Sequence, residues 1–261
     1  MTHGLYESEI EQIVLDILRD EDGYAIAFGP DISEGEDRER DHTEVVLQGR
    51  LRAAIDRLNP DIPAEAREDA ARKALRTPSV NLLENNESFH RMLIDGIDVK
   101  FSVGGGKART DKVWLVDFND PENNEFLAVN QYTVVENHNR KRPDVVLLVN
   151  GLPLAVMELK NPVDENADVH AAFQQLQTYK QLIPSLFTFN TLLIASDGWF
   201  ARVGTLSGEY PRFMEWKTDD GKRIVDTRKE PALAPMLKGL LNKQTLTDLI
   251  RHSSCLKNPK P

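Results

Sequence analysis

Two carboxylates and one lysine close the ends of two apolar runs in RPDVVLLVNGLPLAVMELKNP, residues 142–162. Asp144 follows a proline and opens the first run; Glu158 and Lys160 close the second as Glu-Leu-Lys. Two acids there could hold one or two magnesium ions, which make a water nucleophilic and offset developing negative charge at a phosphodiester. Magnesium takes hard oxygen ligands and keeps several waters, so two protein carboxylates suffice. Lys160 would position or deprotonate the water, or stabilise the charged transition state. Taken alone, Glu-x-Lys is more often a surface ion pair. Here the charges end strongly apolar strands rather than sitting on a solvated face.

The three groups must share a face. Glu158 and Lys160 are two apart and do so on any strand. Asp144 lies fourteen residues before Glu158, and that even spacing constrains the connection. Asn150-Gly151 is a strong hairpin signal. A plain two-residue turn there pairs Asp144 with Met157 and sends the carboxylates to opposite faces. A three-residue loop, a five-residue loop or a β-bulge pairs Asp144 with Glu158. Pro153, lacking an N–H for the ladder, favours the longer loop. Gln175 and Tyr179, four apart on the next helix, extend the same site with an amide and a phenol.

Around this core the elements read in order. Helices are expected over residues 7–19, 43–58, from Pro63 to before Pro78, and 88–94. Strands follow over 97–103, 112–118 and 126–136, with GGGKART and NDPENN as turns. Residues 145–149 and 154–158 are apolar on both faces, as central strands are. A helix spans 168–182, ended by Pro184, then a central strand over 191–195 and short strands over 203–205 and 213–216. The tail, 232–250, is helical, and SSCLKNPKP looks frayed. DISEGEDRERDH, residues 31–42, is charged enough to read as an exposed loop. Trp199 and Phe200 follow a Ser-Asp-Gly turn and read as packing residues. The pattern gives an α/β fold with a helical C-terminal tail.

Composition bounds the function. The chain has 261 residues, 40% of them hydrophobic, enough for one large domain. One cysteine, Cys255, excludes a disulfide framework and a cysteine zinc site and fits a reducing, cytoplasmic setting. None of the six histidines pairs at i, i+4, which argues against a zinc hydrolase. No apolar run approaches the roughly eighteen residues of a membrane span, and MTHGLYESEIEQ is too polar for a signal peptide. The net charge is −10, from 32 basic and 42 acidic residues, so this region does not supply most of any nucleic-acid affinity. The segment Asn137 to Arg142 is the local exception: Arg140, Lys141 and Arg142 sit beside Asp144 and could touch a DNA backbone.

Asp144…Glu158-Leu159-Lys160 followed by Gln175-x-x-x-Tyr179 resembles the PD-(D/E)xK nuclease superfamily, in the branch that carries a QxxxY motif. NNEFLAVNQYTV, RPDVVLLVNGLPLAVMELKNP, QLQTYKQLIPSLFTFN and ASDGWFARVGTLSGEYPRFMEWK, in order over about half the chain, resemble the N-terminal nuclease domain of the restriction (R) subunit of type I restriction-modification enzymes. The resemblance implies a restriction-endonuclease-like central mixed β-sheet flanked by helices, over residues 1–230, with residues 231–261 a helical linker toward a motor domain. It implies a type I site-specific deoxyribonuclease: a magnesium-dependent endonuclease acting on double-stranded DNA beside methyltransferase and specificity subunits. Asp144, Glu158 and Lys160 match the catalytic motif, Gln175 and Tyr179 the accessory one. The superfamily often adds a first-helix glutamate as a metal ligand; Glu7, Glu9 and Glu11 are candidates, Glu11 favoured. An ATP-driven motor follows the nuclease in this family. Gly104-Gly105-Gly106-Lys107 lacks the spacing and the Ser or Thr of a P-loop, so it reads as a turn and ATP is expected only of a longer subunit. Rival readings are a silent nuclease-fold docking module and a repair or recombination nuclease.

Overall fold

The computed structural model describes residues 3–103, 107–161 and 168–252, with side chains from Ser8 onward. Among them, a seven-stranded mixed sheet is flanked by helices. The chain opens with α1 (His3–Asp20), β1 (Ala25–Phe28), α2 (Gly29–Ser33), α3 (Gln48–Leu58), α4 (Ala64–Ala74) and α5 (Leu82–Asp95). A hairpin of β2 (Ile97–Val103) and β3 (Lys107–Val113) follows, then β4 (Phe126–Asn130). A second small hairpin, β5 (Val134–Glu136) and β6 (Asn139–Lys141), leads into β7 (Val145–Val149) and β8 (Leu152–Leu159). The chain continues through α6 (Val169–Leu182), α7 (Pro184–Phe187), β9 (Leu192–Ser196), β10 (Ala201–Gly204), β11 (Met214–Glu215), α8 (Leu233–Leu240) and α9 (Lys243–His252).

The sheet order is β1-β4-β7-β8-β9-β10-β11. β1 runs parallel to β4, and β8 parallel to β9; the other pairs are antiparallel. β7 and β8 lie centrally, and every residue of both is buried, so their continuous apolar runs need no polar alternation.

The β7–β8 connection is both a two-residue turn and an irregular ladder. Asn150 (φ 52°) and Gly151 (φ 80°) take the left-handed conformations of a tight hairpin turn. Val149 pairs with Leu152 and Leu148 with Pro153, but Leu147 pairs with Ala155. Leu154 is the extra residue of a bulge. The bulge, not the longer loop that Pro153 suggested, corrects the register. A residue without an N–H is tolerated where the ladder is already interrupted.

Other elements depart from the sequence reading. β1 was not expected. The strand read over 112–118 is displaced to Lys107–Val113, and residues 104–106 lie outside the described ones. Beyond Val113 the Asn59 side chain replaces a neighbouring strand: it donates to the Trp114 carbonyl (2.9 Å) and accepts from its N–H (2.8 Å). The strand read over 126–136 breaks at Gln131, whose φ is 57°. A left-handed non-glycine residue costs about 1 kcal/mol, so tertiary contacts must hold it there.

The charged stretch 31–42 is not wholly an exposed loop. Ile32 and Ser33 are buried in α2, and Arg40 is 2% exposed. Its guanidinium lies over the Tyr132 ring, 4.0 Å from the centroid. It also donates to the carbonyls of Glu44 (2.6 Å) and Thr133 (2.9 Å), which offsets much of the desolvation cost.

α3 starts at Gln48 rather than residue 43, because Leu47 N–H instead bonds the Gly151 carbonyl (3.0 Å). α5 starts earlier than read, at Leu82, with the Asn81 side chain capping Leu83 and Glu84 N–H. The tail is two helices, and both pack back on the domain. Leu233, Met236, Leu237, Leu240, Leu246 and Ile250 join the core, and the Tyr24 hydroxyl donates to the Leu241 carbonyl (2.7 Å). Residues 253–261, with Cys255, lie outside the described ones. Among the described residues no helix is long and apolar enough to cross a membrane.

Candidate functional site

The bulge brings Asp144 and Glu158 to one face. Val145 pairs with Met157, so Asp144 stands opposite Glu158, one residue beyond the last paired position. Directly opposed positions place their Cβ atoms about 5 Å apart. Asp144 is half-buried, and its Oδ2 accepts from Leu159 N–H (2.7 Å). Glu158 is fully buried. Lys160 Nζ donates to Glu158 Oε1 (2.8 Å) and to the Leu159 carbonyl (3.2 Å), while its backbone N–H bonds the Ser196 carbonyl (2.8 Å) at the end of β9.

Glu158 is electrostatically uncomfortable. Its Oε2 is buried and accepts no hydrogen bond. Burial pushes its carboxyl well above the usual carboxylate range, and the Asp144 charge pushes it further; Lys160 pulls the other way, as does the nearby Tyr179 hydroxyl. A buried carboxylate with one bare oxygen, beside a second acid, is a donor set that a hard divalent cation would complete.

α6 starts at its Asp168 cap, whose side chain accepts from Ala171 N–H (2.8 Å). It carries Gln175 and Tyr179 on one face. Gln175 Nε2 donates to the Tyr179 oxygen (2.6 Å), and the Tyr179 hydroxyl donates to the Arg142 carbonyl (3.4 Å). Burial raises the Tyr179 pKa, and the Glu158 charge adds to it. The pair thus ties α6 to the backbone just before Asp144, and the Tyr179 phenol stays protonated beside Glu158.

Of the first-helix acids, Glu9 is exposed and Glu11 buried, while the Glu7 side chain lies outside the described ones. Glu11 does not converge on Asp144 and Glu158. Its carboxylate is held by Gln131 Nε2 (2.8 and 3.0 Å) and Asn130 Nδ2 (3.4 Å). Asn130 pairs with Val145, so it faces away from the Asp144–Glu158 side of the sheet. Among the described residues no group of three or more His, Cys, Asp or Glu side chains is placed to hold a metal ion. Asp144 and Glu158 stand opposite each other across the ladder.

The β5–β6 hairpin presents Arg140 and Arg142 to solvent, with Lys141 half-buried. Its own acid, Glu136, is turned away to the N–H and hydroxyl of Ser185 (2.9 and 2.7 Å). The β9–β10 turn was read as packing, yet Trp199 and Phe200 are 38% and 39% exposed. Ser196 pairs with Leu159, so this turn rims the site next to Lys160. The Trp199 indole N–H anchors to the Thr227 carbonyl (2.8 Å). Ser-Asp-Gly is a turn signal; nothing in the local sequence says that the rings after it stay open to solvent.

A family profile described as Type I restriction enzyme R protein N terminus matches residues 4–212. The chain is 38% identical, over 95% of its length, to the HindI type I restriction enzyme endonuclease subunit of Haemophilus influenzae. It is 30% identical, over 78% of its length, to a protein of Methanocaldococcus jannaschii named as the MjaIXP endonuclease subunit. A Staphylococcus saprophyticus relative, the SsaAORF53P endonuclease subunit, is 34% identical over 41% of the chain. The matched regions are 24%, 20% and 11% of those three relatives, so the chain spans a quarter of their length or less.

Proposed function

Because this chain belongs to the type I restriction enzyme R protein N-terminal family, we propose that it is a magnesium-dependent PD-(D/E)xK endonuclease domain that hydrolyses phosphodiester bonds in double-stranded DNA. The observation that carries this reading is the buried Glu158 carboxylate, one oxygen unbonded, opposite Asp144 and paired with Lys160. Asp144 and Glu158 would hold the cation. When bound, it supplies an activated water and offsets charge on the phosphate. Lys160, only 14% exposed, is placed to orient that water or to meet charge developing on the phosphate oxygens. Gln175 and Tyr179 fix the backbone carrying Asp144 to α6. Arg140, Lys141 and Arg142 would take the DNA backbone. Gripping the duplex falls mainly to methyltransferase and specificity subunits and to an ATP-driven motor in the longer protein, because a domain of charge −10 repels a polyanion. The cytoplasm is the proposed setting.

The same negative charge favours one rival reading, a silent docking module. The test is plasmid cleavage with magnesium by the assembled full-length enzyme, wild type against Asp144→Ala and Lys160→Ala. Both variants should lose at least about a hundredfold in rate. Normal cutting by both, with DNA still engaged, would leave the docking module as the better account.

A further inference from the structure

Gln131 lies in the turn that ends β4, outside the catalytic and accessory motifs, and three observations converge on it. Its backbone is left-handed, at φ 57°. Its N–H donates to the Asp144 carbonyl (3.0 Å), carrying the β4–β7 ladder one step past the last pair, Asn130 with Val145. Its side-chain amide grips both oxygens of the buried Glu11 (3.0 and 2.8 Å). A fourth contact closes the cage: a Cβ on Gly29, where β1 meets α2, would collide with the Gln131 carbonyl oxygen. Glycine there lets the backbone press against this residue from the far side.

We propose that Gln131 is a positioning residue that locks the Asp144 end of the site to Glu11 on the first helix. One residue bonds Asp144 through its main chain and Glu11 through its side chain. The handedness of its backbone aims the two in different directions. Glu11 thereby acts as an anchor: its charge is spread over neutral amides, and the rigid first helix is passed through Gln131 to Asp144. Among the described residues no three acids are gathered to hold a metal ion, so the link from Glu11 to Asp144 is drawn through Gln131. The consequence for cation binding rests on the magnesium reading above; the positioning of Asp144 does not.

Gln131→Asn separates this role from simple loss of fold. Asparagine tolerates the left-handed region and keeps the N–H, but its amide is one methylene short of Glu11. Amide hydrogen exchange of the 261-residue chain in chelator reads the Asp144 position directly, because Leu159 N–H is bonded to Asp144 Oδ2. Leu159 exchange should accelerate about tenfold, while Val156, in the middle of β8, keeps its wild-type rate. Glu11→Gln should do the same, and the double variant should add nothing further. Unchanged Leu159 exchange, or equal acceleration at Leu159 and Val156, overturns the proposal. Calorimetric titration with Mg2+ supplies the second arm. Gln131→Asn should weaken binding about tenfold, the loss expected when a residue that orients a ligand is removed. Unchanged affinity overturns the link to the cation. No binding by wild type overturns the magnesium reading, while the exchange data still judge Gln131.

Discussion

The β7–β8 hairpin has two ends with opposite polar chemistry. At the closed end, Asn150 is fully buried and wholly bonded. Its Oδ1 accepts from Glu125 N–H (2.9 Å) and Arg57 (3.1 Å); its Nδ2 donates to the Leu115 carbonyl and Asn124 Oδ1, both at 2.9 Å. At the open end, Glu158 is equally buried, yet one of its oxygens bonds nothing and a second carboxylate stands opposite. One pair of strands thus supports a satisfied polar network and an unsatisfied one. Buried polar groups are normally bonded. The closed end is thus a completed network, while the open end keeps a buried acceptor that the cation proposed above would satisfy.

The largest effect should come from breaking the closed end. Asn150→Ala removes four hydrogen bonds and strips a favoured residue from φ 52°. We expect a loss of about 3–5 kcal/mol, near 10 °C in Tm, in thermal melts. If the melt barely moves, the two ends are not different in kind.

The open end should respond with the opposite sign. Glu158→Gln in chelator at pH 8 should stabilise the chain by about 1–2 kcal/mol, since it removes a charge that burial disfavours. The pH dependence follows from the raised pKa. At acid pH Glu158 is neutral folded and unfolded, and variant and wild type should melt alike. As pH rises past the ordinary carboxylate range, the unfolded chain releases its proton before the folded one does. Wild type should then lose stability relative to Glu158→Gln until the folded group ionises. A pH-independent gap between the two melts would sink this account.

Magnesium should narrow the contrast. At about ten times its Kd it should raise wild-type stability by about 1.4 kcal/mol and leave Glu158→Gln unmoved. Equal shifts in both would place the cation elsewhere. Smallest of all, Tyr179→Phe should cost about 1 kcal/mol, because it severs Gln175 and the Arg142 carbonyl from a buried phenol. An unchanged melt would mean that α6 does not brace the open end through this hydroxyl.

What the sequence determined by itself was local or periodic. Two uninterrupted apolar runs mark buried strands because such runs suit no solvent-facing face. Asp168 and the spacing after it mark α6, since helix caps and helical faces are read within a few residues. Even the bulge was implied, as one of three ways to bring residues fourteen apart onto one face. The tertiary structure decided whatever depends on partners distant in the chain. Arg40 looks like one more charge in a polar loop until Tyr132 and the Thr133 carbonyl meet it. Gln131 sits inside an apparent strand until Asp144, Glu11 and Gly29 together hold it left-handed. The C-terminal helices show an apolar stripe, but not that α1 packs against the first of them. Periodicity records which face of an element avoids water. It carries no record of which remote group will pay for a buried charge or a strained backbone, and that is where the candidate site takes its shape.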